Sequence, residues 1–245
     1  MLLDRYKLKI QYDGSKYLGW QKQKKGRTVQ GVIEESLNKF LNQEQKIKVH
    51  GSGRTDTGVH ATGQIAHVDF NSNLEDGIIK NAMNAYLPED CVILEVVKVA
   101  KNFHSRYDAK KRFYRYQICT KNLLYRNQCW IKSKLDIDFL NKLANKLIGD
   151  HDFLSFSKYR KDLKSTNCQI FLSKWLMQNE IYVFKIGANR FLHHMIRYLV
   201  GTMIAVYEER IKEEDFDSLL KKPKKNVRIF KAPPQGLILE KVCYD

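Results

Sequence analysis

Apolar and polar residues alternate without a break along Tyr6-Lys7-Leu8-Lys9-Ile10-Gln11-Tyr12, the period of a strand with one buried face. Asp13-Gly14 ends it. Residues 14–27 have no such period and turn basic, carrying Tyr17, Trp20, Lys22, Lys24, Lys25 and Arg27. From Thr28 the spacing becomes helical. Val29, Val32, Ile33, Leu37, Phe40 and Leu41 form one stripe, Thr28 supplies an N-cap, and a helix is predicted to about Asn42. Strand-like pieces over Lys46–His50 and Gln64–Phe70 flank a glycine-rich stretch. A second helix is predicted from about Asp76 to Tyr86, burying Ile78, Ile79, Ala82 and Met83. Leu87-Pro88 closes it, because proline disfavours helix in the residue before it. Val92, Leu94, Val96 and Val99 then make a further strand. The order βαββαβ is that of a split-βαβ, ferredoxin-like unit.

The remainder repeats that order loosely, without sequence identity between the halves. Arg112–Cys119 reads as a strand. Ile137–Ile148 reads as a helix with Phe139, Leu140, Leu143 and Leu147 on one face. Ile170–Met177 and Ile181–Ile186 form a hairpin across Gln178-Asn179-Glu180. A long helix over Phe191–Tyr207, a short one over Glu213–Lys221 and a strand over Leu237–Val242 complete the pattern. The basic, non-periodic stretch Lys101–Lys111 suggests a division near residue 108. The expected fold class is α+β, with an N-terminal α+β domain over 1–108 and a C-terminal α+β domain over 109–245.

Composition adds a partner. At 245 residues and 43% hydrophobic content, the chain can bury a sizeable core. Its net charge of +16, from 43 Lys+Arg against 27 Asp+Glu, points to a polyanion: nucleic acid first, an anionic membrane second. No run approaches the roughly 18 apolar residues of a membrane span. The N-terminus lacks the apolar core of a signal peptide. Five cysteines without a CxxC pair suggest neither a zinc site nor a disulfide framework, so a reduced, cytoplasmic protein is expected. Positive charge concentrates at 16–27, 101–115, 158–164 and 221–231, each with an aromatic within or beside it, which suits phosphate contact plus base stacking. Lys221-Lys222-Pro223-Lys224-Lys225 reads as a solvated turn. In 101–115, Arg106, Lys110, Arg112 and Arg115 lead into the strand of Tyr114 and read as RNA-facing.

The stretch Gly51-Ser52-Gly53-Arg54-Thr55-Asp56-Thr57-Gly58-Val59-His60-Ala61 concentrates the candidate chemistry. Its glycines mark backbone open to positive φ or close approach. Thr55, Asp56 and Thr57 favour local side-chain-to-backbone bonds. On composition alone this is a tight turn whose Asp56 serves only the local backbone.

The string Gly53-Arg54-Thr55-Asp56-x-Gly58-Val59-His60-Ala61 resembles the catalytic-loop signature of the TruA family of tRNA pseudouridine synthases. Further stretches resemble family blocks in the family's order. They are Tyr12-Asp13-Gly14-Ser15-Lys16-Tyr17-x-Gly19-Trp20-Gln21-x-Gln23, Thr28-Val29-Gln30, Phe103-His104-x-Arg106, Arg112-x-Tyr114-x-Tyr116, Phe191-x-His193-His194-Met195-x-Arg197 and Gly236-Leu237-x-Leu239. Together they span nearly the whole chain.

The resemblance implies two ferredoxin-like, RRM-like units side by side forming a cleft, a homodimer, and isomerisation of uridine to pseudouridine at positions 38, 39 or 40 of the tRNA anticodon stem–loop. It implies Asp56 as the catalytic carboxylate, Arg197 as the arginine paired with it, and Tyr114 as the ring stacked on the target uracil. It also implies Arg54 beside the flipped-out base and Leu237 as an apolar wall of the uracil pocket. Arg106 and Arg112 stand in family blocks and are expected to contact RNA. His60 reads as structural. The pair His193-His194 suggests a metal, yet adjacent helical residues point in different directions, and neither metal nor cofactor is expected. Thr57, Tyr198 and Arg190 depart from residues usual in the family at those places; none removes a catalytic group. The competing expectation is a non-catalytic RNA-binding protein with two RRM-like units, whose aromatic motif has no recognisable counterpart here.

Overall fold

The N-terminal alternation, the capped stripe and the pieces around them become regular elements in a computed structural model that describes residues 3–42, 47–120, 126–159 and 163–245. In chain order these are β1 (Asp4–Tyr12), α1 (Val29–Leu41), β2 (His50–Gly51), β3 (His60–Phe70), α2 (Asp76–Tyr86), β4 (Cys91–Val99) and β5 (Lys111–Cys119). There follow β6 (Trp130–Ile131), α3 (Ile137–Asn145), β7 (Gly149–Asp152), β8 (Asn167–Gln178), β9 (Ile181–Ala188), α4 (Met195–Tyr207), α5 (Glu213–Lys221) and β10 (Leu237–Cys243). They divide into two compact units, Met1–Lys110 with Ile238–Asp245, and Lys111–Leu237. Residues 238–245, grouped with the second half on sequence, thus join the first unit. Ile238 and Leu239 pair in parallel with His60 and Ala61 of β3, and sequence order carries no sign of that return.

In the first unit β1 lies between β3 and β4, antiparallel to both. Its inward positions, Tyr6, Leu8, Ile10 and Tyr12, are all buried. Each such aliphatic side chain contributes about 1.5–3 kcal/mol through burial. Thr28 caps α1, accepting the Gly31 N–H, and Asn42 ends it in the left-handed region at φ 46°. Ser36 donates to the Met83 carbonyl at 2.7 Å, tying α1 to α2. Asn84 bonds both backbone groups of Ile93, tying α2 to β4.

Three expectations change here. The strand over Lys46–His50 shrinks to His50–Gly51 (Lys46 itself lies outside the described residues), and β10 takes the other end of the same β3 edge. This is the ferredoxin-like order with a truncated second strand. In β4 the buried residues are Cys91, Ile93 and Val96, while Leu94 is exposed. The cause is a bulge: Ile10 faces Ile93, Lys9 faces Glu95, and the extra residue Leu94 flips the phase. On α2, Ile79 and Met83 are buried but Ile78 is half exposed.

In the second unit β5, β9, β8 and β7 form an antiparallel sheet, and β6 runs parallel to the end of β5. The β8–β9 turn is Asn179-Glu180 with φ 46° and 63°, the two left-handed residues that a tight hairpin requires. Asn141 bonds both backbone groups of Trp175, and Ser173 donates to the Ala144 carbonyl, so α3 is fastened to β8. Residues Met195–Ile196–Arg197 and Leu199–Val206 of α4 are buried.

This helix starts four residues later than the expected Phe191. His194 has φ 64°, which no continuing helix accommodates, so Phe191–His194 is a turn leading into it. The basic stretch 158–164 falls partly outside the described residues. Among the described residues no helix is long and apolar enough to cross a membrane.

Candidate active site

The glycine-rich loop of the first unit is fixed from several directions. Ser52 opens it with an N–H bond to the Ile65 carbonyl at 2.7 Å. The Ser52 hydroxyl donates to Gln64 Oε1 at 2.7 Å, and Gln64 Nε2 returns a bond to the Gly53 carbonyl at 3.1 Å. The Tyr12 and Thr55 hydroxyls meet at 2.8 Å. The Thr55 carbonyl accepts the Trp20 N–H at 3.1 Å, and the Asp56 carbonyl accepts the Val59 N–H at 3.1 Å.

Residues 13–20 form the cradle for this loop. Gly14 and Gly19 are required there by space. A Cβ at Gly14 would stand 2.1 Å from the Val59 oxygen, and one at Gly19, whose φ is 91°, would stand 2.6 Å from the Thr55 oxygen. The cradle is itself braced. Tyr17 donates to Asp90 at 2.7 Å, Arg27 grips both Asp90 oxygens, and Arg27 lies 4.1 Å over the Tyr17 ring. The result is a rigid loop presenting Arg54 to solvent and Asp56 half buried. His60 is buried, with Nδ1 accepting the Gly14 N–H at 3.1 Å, a structural role.

After β4 the basic stretch makes a tight turn. The His104 N–H donates to Asp108, and His104 Nδ1 accepts the N–H groups of Arg106 and Tyr107. Arg106 is exposed, 5.7 Å over the ring of Tyr107. Tyr107, 73% exposed, went unnoticed on sequence, although it sits inside the basic–aromatic stretch that could have flagged it.

His104 also approaches His50 and His67, and donor atoms of the three rings lie within 4.8 Å of one another. Their bonding does not suit a cation. His67 Nδ1 faces the Ser105 amide and hydroxyl at 3.2 and 2.9 Å. The two N–H groups on His104 Nδ1 put that ring's proton on Nε2, the nitrogen a cation would need. Burial, followed by the charge of Arg5, pushes His67 down to about 4, so the ring is neutral at ordinary pH.

In the second unit Tyr114 and Tyr116 share one face of β5, as strand alternation requires. Tyr114 is half buried and meets Phe191 edge-on at 5.2 Å. Phe113 points the other way, toward Phe171. Tyr116 is fully buried and donates to the Pro233 carbonyl at 2.8 Å. Burial raises its phenol well above the ordinary range, with the charge of Arg197 opposing.

Arg197 sits in the first turn of α4, 7% exposed. Its Nε donates to the Ala232 carbonyl, and its own carbonyl accepts the Ala232 N–H, which holds the guanidinium in one orientation. Leu237, buried, follows the turn Pro234–Gly236. A Cβ at Gly236 would stand 2.6 Å from the Tyr116 ring. Arg112 donates to the Asn189 carbonyl at 2.7 Å. Tyr116, Arg197, Gly236 and Leu237 thus cluster around β5. His193 and His194 lie in the turn before α4 with ring centres 3.9 Å apart, so they do not diverge as adjacent helical residues would.

A family model described as tRNA pseudouridine synthase matches residues 9–108 and 143–245. The tRNA pseudouridine synthase A of Parvibaculum lavamentivorans is 38% identical over 251 residues, spanning 99% of this chain and all of that one. Its counterpart in Borrelia garinii subsp. bavariensis is 38% identical over 241 residues, 96% of this chain and 97% of that one. A Thermoanaerobacter sp. counterpart is 37% identical over 240 residues, again 96% and 97%. Among solved structures, a chain of a Cbf5–Nop10–Gar1 complex aligns at 10% identity with a TM-score of 0.40, covering 95% of this chain and 57% of that one.

Proposed function

The chain belongs to the tRNA pseudouridine synthase A family, a family of isomerases, and we propose that it converts uridine to pseudouridine at positions 38, 39 and/or 40 of the tRNA anticodon stem–loop. The observation that carries this reading is the braced loop. It holds a half-exposed Asp56 next to an exposed Arg54 on a segment that polar clamps make rigid.

The reaction breaks the N1–C1′ bond of uridine and joins C1′ to C5. The C5 hydrogen leaves and N1 gains a hydrogen, so no redox partner is needed. The carboxylate reaches this junction only when the uridine is out of its stack. Asp56 acts there as nucleophile or base, at C1′, C2′ or C6. Arg197 is its charge partner; a guanidinium stays ionised and binds carboxylates at two points. Tyr114 stacks on the uracil, Leu237 lines its pocket, and Arg54 stands beside the extruded base. Arg106 and Arg112 contact RNA, and the excess of positive charge supports a polyanionic substrate. The working form is a cytoplasmic homodimer.

The test is tritium release from tRNA carrying [5-³H]uridine, wild type against Asp56→Asn, without added metal. Release by wild type alone supports the reaction and the residue together. Tight tRNA binding with no release by either protein, on several unmodified tRNAs, favours instead a non-catalytic RNA-binding protein.

A further inference from the structure

The residues given chemical parts above leave out a pair of hydroxyls that touch the loop next to Asp56. Tyr12 is the last residue of β1. It pairs with Ala61 on one side and Cys91 on the other, so its backbone is held between two strands. That ring is 3% exposed and packed at 6.4 Å from Tyr17 and 6.3 Å from Trp20. Its hydroxyl meets Thr55 Oγ1 at 2.8 Å in a buried contact.

Thr55 is β-branched, so χ1 is already stiff, and a bond from Oγ1 to a fixed phenol selects one rotamer. The backbone carbonyl of Thr55 is held separately by Trp20. Both ends of this residue are therefore tied, and the next residue is Asp56. A carboxylate on a loop with glycines at 51, 53 and 58 would otherwise sample many positions, and a misplacement of about 1 Å can cost on the order of a hundredfold in rate.

Resting on the role given to Asp56 above, we propose that Tyr12 and Thr55 are a positioning pair, whose hydroxyl–hydroxyl bond fixes the Asp56 carboxylate for attack on the uridine. Neither touches the substrate. The pair raises the fraction of time the carboxylate spends in the reactive orientation, which affects kcat and leaves tRNA binding alone.

The experiment compares wild type with Thr55→Val, Thr55→Ser, Tyr12→Phe and the double variant Y12F/T55V. It reads tritium release at saturating and limiting tRNA, tRNA affinity by filter binding, and melting temperature. Thr55→Val and Tyr12→Phe each lower kcat about 3- to 10-fold at unchanged KM and affinity, the effect of losing one buried hydrogen bond. Thr55→Ser, which keeps the hydroxyl, stays within about twofold of wild type. The double variant is no slower than the slower single variant, because both remove the same bond.

A folded Thr55→Val enzyme with wild-type kcat overturns the pairing. So do losses that multiply in the double variant, or losses that follow the melting temperature across all four variants. A wild type that releases no tritium overturns the assigned reaction, a different failure from any of these.

Discussion

Arg27 holds Asp90 with both prongs of its guanidinium, at 2.6 and 2.7 Å, across 63 residues of chain. The arginine, and then the Tyr17 hydroxyl, keep the Asp90 carboxyl below the ordinary carboxylate range. A carboxyl depressed in the folded state contributes stability above its unfolded pKa and loses it as the pH falls through the folded value. Asp90→Asn therefore destabilises by about 1–2 kcal/mol at pH 7, a figure trimmed because both partners are partly exposed. The penalty shrinks steadily below about pH 4. Urea unfolding of both proteins from pH 7 to pH 3 reads it; a difference independent of pH contradicts the pairing.

Gly19 tests the cradle. Alanine there meets both a left-handed backbone and the Thr55 oxygen at 2.6 Å. Gly19→Ala costs about 1–3 kcal/mol of stability and displaces the loop that carries Asp56. Its turnover falls by more than the lost stability accounts for. Parallel kcat and melting measurements separate the two.

Gly201 offers a contest between propensity and packing. Alanine is the better helix former by about 1 kcal/mol. Yet a Cβ at Gly201 in α4 would lie 2.3 Å from the Phe230 oxygen and 2.7 Å from the Ala232 nitrogen, both of them backbone atoms. Overpacking of this kind costs about 1–3 kcal/mol, so Gly201→Ala lowers the melting temperature. An unchanged or raised value would mean that the 230–232 segment yields.

The exposed arginines are predicted to act through phosphate. Arg54→Ala and Arg106→Ala each weaken tRNA binding and flatten the plot of log K against log salt by about 0.7–0.9. Arg106 is a useful comparison because its guanidinium lies over the Tyr107 ring, while its backbone is held by His104. An unaltered salt slope removes that residue from the RNA-contacting set.

Local chemistry made parts of this fold legible in the sequence. Thr28 and Asn42 announce both ends of α1, and Asn179-Glu180 announces the β8–β9 turn, because cap and turn chemistry acts over a few residues. The phase of β4 was not legible, since one unpaired residue, Leu94, inverts every position before it, and a bulge has no signature in alternation. The start of α4 is hidden in the sequence because Phe191 and Leu192 continue an apolar spacing that His194 interrupts only through its backbone angle. For the candidate site, the motif pointed to the Asp56 loop as a whole. The supports did not show: Tyr12 reads as an ordinary strand aromatic and Gln64 as a polar strand position until their partners are seen.

The pairing of Ile238 and Leu239 with His60 and Ala61 has a consequence for biosynthesis. The strand that follows the Asp56 loop is among the early parts of the protein to be translated, and its neighbour is among the late ones, with the whole second unit made in between. A nascent chain can therefore assemble most of its first sheet on the ribosome while one edge stays bare. The final docking step waits until β10 has emerged. Messages cut short before that point yield a protein with an unfinished edge beside the Asp56 loop.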